Sequence, residues 1–228
     1  MSEQGETAAA ESIRRRYLGV DTSNVADVLD DLGLLDQGLH PSFAPHPGAG
    51  KLAGWAHPIL GEMRPYGTAG GDPDKMAACE QLQAGSVSVW AGRGEGVCFF
   101  GELIAIGMKE RGCVGALLDG GIRDLVWIGR LDFPVYARYR TPIQSIGRWK
   151  VVDSAVPVQL PGATTDAVVV NPGDFILADD DGGIVIPVDL AETVLERAEA
   201  LGAREVQIRR DIAAGMSLAG ALAKFGHV

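Results

Sequence analysis

The chain has 228 residues, 46% of them hydrophobic and 22% charged, which is typical of a globular protein and excludes a disordered chain. Its 30 acidic and 20 basic residues give a net charge of −10 with no prominent basic run, so no nucleic-acid partner is expected. No apolar run is long enough to span a membrane, no apolar signal core is present, and the three cysteines lack CxxC spacing. These features predict a cytoplasmic protein with no membrane association and no zinc site.

The N-terminal part of the chain predicts a polar tail followed by alternating helices and strands. Residues 1–10 are expected to form a flexible tail, and residues 11–228 a single domain. DTSNVADVLDDLG predicts a helix that Thr22 or Ser23 can cap and that Gly33 ends. KLAGWAHPIL and SVSVW predict strands, with DKMAACEQLQAG as a helix between them.

The alternation continues after the glycine-rich loop AGRGEG. GELIAIGMKERG and IRDLVWIGRL predict helices on either side of the strand CVGALLD, with a Gly-Gly turn leading into the second helix. FPVYARY, DAVVV and NPGDFILADDDGGIVIP predict further strands, and a long and a short helix follow. This order predicts an α/β domain with a parallel or mixed sheet. The apolar stripe of the long helix can pack against its own sheet or form a subunit interface; it consists of Leu190, Val194, Ala198 and Leu201.

Two predicted helix starts carry candidate functional residues. The start of GELI exposes backbone N–H groups and a positive dipole end, which suit a small carboxylate, although these residues can also be simple turn residues. At the second start, Asp124 is suited to a hard cation such as Mg²⁺, and Arg123 to a carboxylate or enolate oxygen. The alternative is an acidic residue that compensates the helix dipole beside a surface arginine.

The segment FFGELIAIGMKERGCVGALLDGGIRD resembles the centre of the RraA-like family. That family contains the regulator of ribonuclease activity A and the class II 4-hydroxy-4-methyl-2-oxoglutarate aldolases. HPGAGKLAGWA, DFPVYAR, VNPGDFILADDDGGIVIP and IAAGMSLAGALAKFG resemble other family segments, so that the resemblance covers nearly the whole chain. It implies an αββα sandwich of the swivelling β/β/α kind that assembles as a homotrimer or hexamer.

The resemblance also implies roles for individual residues. Asp124 would hold a divalent metal, Mg²⁺ or Mn²⁺, and Arg123 would bind the substrate and stabilise the product enolate. Glu102 would polarise a water that acts as base, and Asp27, which lies near an acidic position used by the aldolases, would be a further catalytic residue. Backbone amides would bind the carboxylate of a short 2-oxo acid in the substrate-binding stretch, which consists of Gly101, Glu102, Leu103 and Ile104.

Two positions differ from the aldolase pattern. Glu102 stands where aldolases carry Asp, and Trp127 stands where they carry an acidic residue. Despite these differences, the resemblance implies a metal-dependent lyase that releases a pyruvate enolate, either by retro-aldol cleavage of 4-hydroxy-2-oxo acids or by decarboxylation of oxaloacetate. One alternative is a non-catalytic regulator that binds a ribonuclease-like partner. The other is a metal-dependent enzyme on the same scaffold that acts on a different acid.

Overall fold

The computed structural model describes residues 3–46, 50–67 and 70–226. The helices are α1 (Glu3–Tyr17), α2 (Thr22–Asp31), α3 (Pro73–Glu80), α4 (Glu102–Glu110), α5 (Leu125–Ile128), α6 (Ala191–Ala213) and α7 (Leu218–Phe225). The strands are β1 (Ala44–Pro45), β2 (Leu52–Met63), β3 (Ser86–Ala91), β4 (Cys98–Phe100), β5 (Gly115–Ile122), β6 (Val135–Arg140), β7 (Trp149–Ser154), β8 (Val158–Leu160), β9 (Val168–Val170), β10 (Phe175–Asp179) and β11 (Gly182–Ile186).

A mixed sheet organises the domain, with the strand order β1-β6-β5-β3-β2-β10-β11. Strands β2, β3, β5 and β6 run parallel to one another, and β4 also pairs parallel with β5. Strand β7 pairs antiparallel with β2, and β8 and β9 form a separate two-stranded sheet. This topology confirms the predicted α/β class.

The apolar residues form three cores that give the αββα layering. Helices α3 and α4 cover one core, and α1, α2 and α6 cover another over β10 and β11. The third core lies between strands, where β8 and β9 pack on β2, β3 and β10. Of the apolar stripe predicted for the long helix, Val194, Ala198 and Leu201 are buried in the core beneath α1, α2 and α6. The stripe therefore packs within its own chain.

The segment predicted to be a flexible tail is helical over residues 3–10, which belong to α1, while residues 1 and 2 lie outside the described residues. Long-range contacts attach this helix to the domain. The Tyr17 ring is fully buried, stacks on Phe175 with 4.3 Å between ring centroids, and donates a hydrogen bond to the Ala191 carbonyl. The partners of Tyr17 lie more than 150 residues away, so no local pattern could indicate that the C-terminal end of α1 is held against the domain.

The hydrogen-bond donors at the start of α2 also find their acceptor in a distant residue. Neither Thr22 nor Ser23 caps the helix; Asp21 occupies the N-cap position and its side chain makes no capping hydrogen bond. Instead, Asp179 at the end of β10 accepts hydrogen bonds from the Thr22 N–H, at 2.9 Å, and from the Thr22 hydroxyl, at 2.6 Å. The predicted caps were wrong because tertiary packing brings a stronger acceptor, a carboxylate, to the helix start.

Among the residues that the structure describes, no helix is both long and apolar enough to cross a lipid bilayer.

Candidate active site

The candidate site begins at the end of β5, a strand in which all eight residues are buried. Gly120 and Gly121 were predicted to form a turn, but both lie within this strand. A Cβ atom at Gly120 would lie 2.6 Å from the Phe99 ring, and one at Gly121 would lie 2.6 Å from the Tyr139 ring. The glycine pair is therefore required because aromatic side chains of the adjoining β4 and β6 approach the backbone closely.

Asp124 follows β5 in a left-handed backbone conformation, with φ 61° and ψ 33°. Asp is one of the few residues besides Gly that tolerates this region. The conformation places its carboxylate against the start of α4, where Oδ2 accepts a hydrogen bond from the Glu102 N–H at 3.1 Å. The Arg123 Nε lies 3.5 Å from the same oxygen, and both charged side chains are about two-fifths exposed. Two segments that are 22 residues apart thus meet at one carboxylate.

Gly101 is the residue that permits this contact. Its backbone is extended, with φ −128° and ψ −164°, a conformation open to other residues. A Cβ atom there would, however, lie 2.0 Å from the Asp124 Oδ2 and 3.1 Å from the Arg123 Nε. The glycine is needed because the charged pair occupies the space of a side chain.

The first turn of α4 supplies backbone donors beside the charged pair. Gly101 has no side chain to cap the helix, and the first intrahelical hydrogen bond runs from the Ala105 N–H to the Gly101 carbonyl. The amides of Leu103 and Ile104 belong to the first turn, which has no preceding helical carbonyls to accept from it. This turn can bind a carboxylate next to Arg123.

The structure brings together four of the predicted site residues: Gly101, Glu102, Arg123 and Asp124. Asp27 lies elsewhere in the chain, on α2, which packs against α6, β10 and β11. In the sheet order, β3 and β2 separate those strands from β5. The catalytic role of Asp27 stays a prediction, and nothing in the packing of one chain places it beside Asp124.

Trp127 lies on α5, three residues after Asp124. Its backbone N–H donates to the backbone carbonyl of Asp124 at 3.0 Å, and its side chain is exposed. The Arg130 guanidinium lies 4.7 Å from the centre of the indole ring. An indole cannot accept or release a proton near neutral pH, so Trp127 cannot replace the acidic residue of the aldolase pattern.

The donor atoms at Asp124 are compatible with a hydrated divalent cation. In the described parts of the chain, no three His, Cys, Asp or Glu side chains are grouped so that they could enclose a metal. Mg²⁺ is commonly bound through one or two carboxylates, with water and substrate as the other ligands. Both contacts described above use Oδ2 of Asp124, which leaves Oδ1 available to a cation.

Sequence reasoning missed a buried cation behind this site. Lys75 on α3 is only 3% exposed, and its Nζ donates to the Phe99 carbonyl at 2.8 Å and to the Ser145 hydroxyl at 2.7 Å. Phe99 belongs to β4, two residues before Gly101. The segment GDPDKM contains no signal for burial, because a lysine near a helix start usually faces solvent.

The fold and the site together define an α/β protein in which a carboxylate–guanidinium pair meets an uncapped helix start. The RraA-like family profile (Aldolase/RraA) matches residues 22–186, and the chain belongs to this family.

Two relatives and one solved structure show how the similarity is distributed. Protein DlpA of Legionella pneumophila is 26% identical over 215 residues, covering 93% of this chain but only 34% of its own length. A Halalkalibacterium halodurans protein named "Putative 4-hydroxy-4-methyl-2-oxoglutarate aldolase" is 28% identical over 81% of this chain and 80% of that protein. The structure of Streptomyces coelicolor RraAS2, described as an unusual member of the RNase ES inhibitor RraA family, has a TM-score of 0.71. It is 26% identical and covers 87% of this chain and 96% of that one.

Proposed function

We propose that this protein is a divalent-metal-dependent lyase that cleaves a short 2-oxo acid to a pyruvate enolate. The observation that carries the proposal is the hydrogen bond from the Glu102 N–H to Asp124. It joins a carboxylate that can hold a cation to a helix start that can bind the substrate carboxylate. The names of several relatives support the reaction class, since these proteins are named as aldolases of a 4-hydroxy-2-oxo acid.

The binding step uses the first turn of α4 and Arg123. Within the Gly101–Ile104 stretch the Glu102 N–H is already donated to Asp124, so the substrate carboxylate accepts hydrogen bonds from the amides of Leu103 and Ile104 and gains from the positive end of the helix dipole. The Arg123 Nε is buried beside Asp124, but 39% of the side chain is exposed, so the outer part of the guanidinium can donate to a substrate oxygen. The ligand is thereby held beside Asp124.

Bond cleavage requires stabilisation of the negative charge that develops on the enolate oxygen. A bound Mg²⁺ or Mn²⁺ ion at Asp124 would act as a Lewis acid on the 2-oxo group. Arg123 adds a fixed positive charge on the same side, which needs no rearrangement during the reaction. The chain thus provides a preorganised electrostatic site for the enolate.

The two candidate reactions place different demands on Glu102 and Trp127. Retro-aldol cleavage needs a base for the 4-hydroxyl proton, and Glu102 can serve through a water molecule. Decarboxylation of oxaloacetate needs no such base, because loss of carbon dioxide leaves the enolate directly. The absence of an acid at position 127 therefore weakens retro-aldol cleavage more than decarboxylation, and oxaloacetate is the preferred test substrate.

We also propose that the protein is a cytoplasmic homotrimer or a hexamer built from two trimers. The three cysteines are free and buried, as suits a reducing compartment. Exposed apolar side chains flank the site and would be covered by a neighbouring subunit; they are Leu103, Val126 and Trp127. Sedimentation analysis at several protein concentrations would measure the assembly, and a monomer throughout would contradict it.

The primary experiment measures pyruvate release from oxaloacetate with Mg²⁺, with Mn²⁺ and with EDTA, corrected for the metal-catalysed background. We expect metal-dependent turnover in the wild type and a loss of at least about a hundredfold in Asp124→Ala. Asp189→Ala is the matched control, because this exposed acid lies in the short 3-10 helix Val188–Leu190 that precedes α6. Equal rates in Asp124→Ala and in the wild type would refute the proposed site.

A second candidate function is the binding and inhibition of a ribonuclease-like partner. The similarity to RraAS2 supports it, because that protein belongs to an inhibitor family. This role predicts that Arg123→Ala still binds the partner, whereas a lyase would lose activity. A third candidate keeps the metal site but takes a different acid, and the indole at position 127 favours it; a screen of 2-oxo and 2-hydroxy acids would identify that substrate.

A further inference from the structure

The buried amine of Lys75 lies directly behind the strand that leads into the candidate site. Its Nζ donates to the Phe99 carbonyl and to the Ser145 hydroxyl, and lies 5.3 Å from the centre of the Trp149 ring. Among the described residues Lys75 forms no ion pair, and Asp72 is the carboxylate whose charge acts on its amine from a greater distance. A buried ammonium group without a paired carboxylate is costly, so its retention calls for an explanation beyond packing.

The position of β4 connects this amine to the site. On one side, β4 pairs with the end of β5, with Phe100 opposite Ile122, the residue before Arg123. On its other side, Lys75 and Ser145 hold the carbonyl of Phe99. Gly101 and the first turn of α4 follow directly. Any displacement of β4 would therefore move the helix start relative to Asp124.

The charges of the two regions also influence each other. Burial is the main cause that lowers the pKa of Lys75; Asp72 opposes this effect, and the positive charge of Arg123 adds to it. The geometry gives the same result, because the Lys75 Nζ contacts the carbonyl of Phe99, two residues before Gly101, so the charge of the amine lies near the start of α4. An anion bound at this helix start would be attracted to the amine as well as to Arg123.

We propose that Lys75 is a positioning residue of the lyase site, which holds β4 in place through the Phe99 carbonyl and favours ligands of higher negative charge at the start of α4. This inference rests on the proposed function and adds a preference for dianions, such as the oxalate that mimics a pyruvate enolate. If Lys75 only supports the fold, its replacement should weaken the binding of all ligands equally. If its charge also acts on the ligand, replacement should weaken the binding of a dianion more than that of a monoanion.

The test compares the binding of oxalate and pyruvate to the full chain by calorimetry in the presence of Mn²⁺. In Lys75→Met we expect the dissociation constant to rise about tenfold for oxalate and about threefold for pyruvate, because the electrostatic free energy doubles with ligand charge. The Phe99 carbonyl keeps a donor in this variant, since the Ser145 Oγ lies 3.4 Å away. Lys75→Gln, which is also neutral but can still donate a hydrogen bond, replaces it if Lys75→Met does not fold.

Ser145→Ala is the matched control, because it removes a partner of Lys75 and keeps the charge. We expect the ratio of the oxalate and pyruvate constants to be unchanged in this variant. Equal losses for both ligands in the neutral variants, or no loss, would overturn the role of Lys75 while leaving the lyase proposal intact. A wild type that binds neither ligand and releases no pyruvate would overturn the lyase proposal, and this inference with it.

Discussion

Replacement of Gly101 by alanine separates the function of the site from the stability of the fold. The added Cβ would lie 2.0 Å from Oδ2 and 3.1 Å from Cγ of Asp124, well inside van der Waals contact. The backbone at Gly101 is extended, so alanine adopts it without strain. The Asp124 side chain is 41% exposed and can rotate into solvent, which ends its hydrogen bond with the Glu102 N–H. The substitution therefore displaces the candidate metal ligand specifically.

The expected magnitudes follow from that geometry. The free energy of unfolding should change by less than about 1 kcal/mol, because loss of one exposed hydrogen bond is offset by the lower entropy of the unfolded alanine chain. The affinity for Mn²⁺ in the presence of oxalate should fall by at least about tenfold. Calorimetry measures the affinity, and urea denaturation measures the stability.

A second glycine in the same helix provides the control. Gly107 lies within α4, and a Cβ there would meet no atom within 4 Å. Gly107→Ala should leave metal binding and turnover unchanged and stabilise the helix by about 0.5–1 kcal/mol. Full metal affinity and full turnover in Gly101→Ala would refute the reasoning, because Asp124 would then not be the group that holds the cation.

Three other predictions concern the missing acid, the attachment of α1 and its pH dependence. Trp127→Glu should increase the ratio of retro-aldol to decarboxylase turnover by about tenfold or more, since the exposed position accepts a carboxylate that can transfer protons. An unchanged ratio would argue against a proton-transfer role for an acid at this position. Tyr17→Phe should lower the free energy of unfolding by about 1 kcal/mol through loss of the 2.7 Å hydrogen bond to Ala191, measured by urea denaturation, and no loss would contradict the tertiary anchoring of α1. The hydrogen bond from Arg14 lowers the pKa of Glu11 from 4.5 to about 2, so its stabilisation is present above pH 4.5 and lost as the pH falls towards 2. The pair is partly exposed, so the effect is below about 1 kcal/mol, and Glu11→Gln should remove this part of the pH dependence of unfolding; identical pH profiles would contradict it.

Local patterns were sufficient for most of the regular structure after residue 20. The helix predicted by DTSNVADVLDDLG and the strand predicted by KLAGWAHPIL are present as α2 and β2. The helix predicted by IRDLVWIGRL is reduced to the four residues of α5. Strand β7 was not predicted, because it pairs with the extended end of β2 and packs Trp149 where Gly61 leaves room. Such pairings depend on a partner nearly ninety residues away in the chain.

The sequence by itself determined the α/β class, the order of the main elements and the location of Arg123 and Asp124 at the end of a buried strand. These features follow from hydrophobic periodicity and from glycine positions, which act over a few residues. Only the tertiary structure decided that Asp124 meets the Glu102 N–H, that Lys75 is buried behind β4, and that α6 packs on its own chain. The physical reason is that these contacts join residues far apart in the chain, whose approach depends on the packing of the whole sheet.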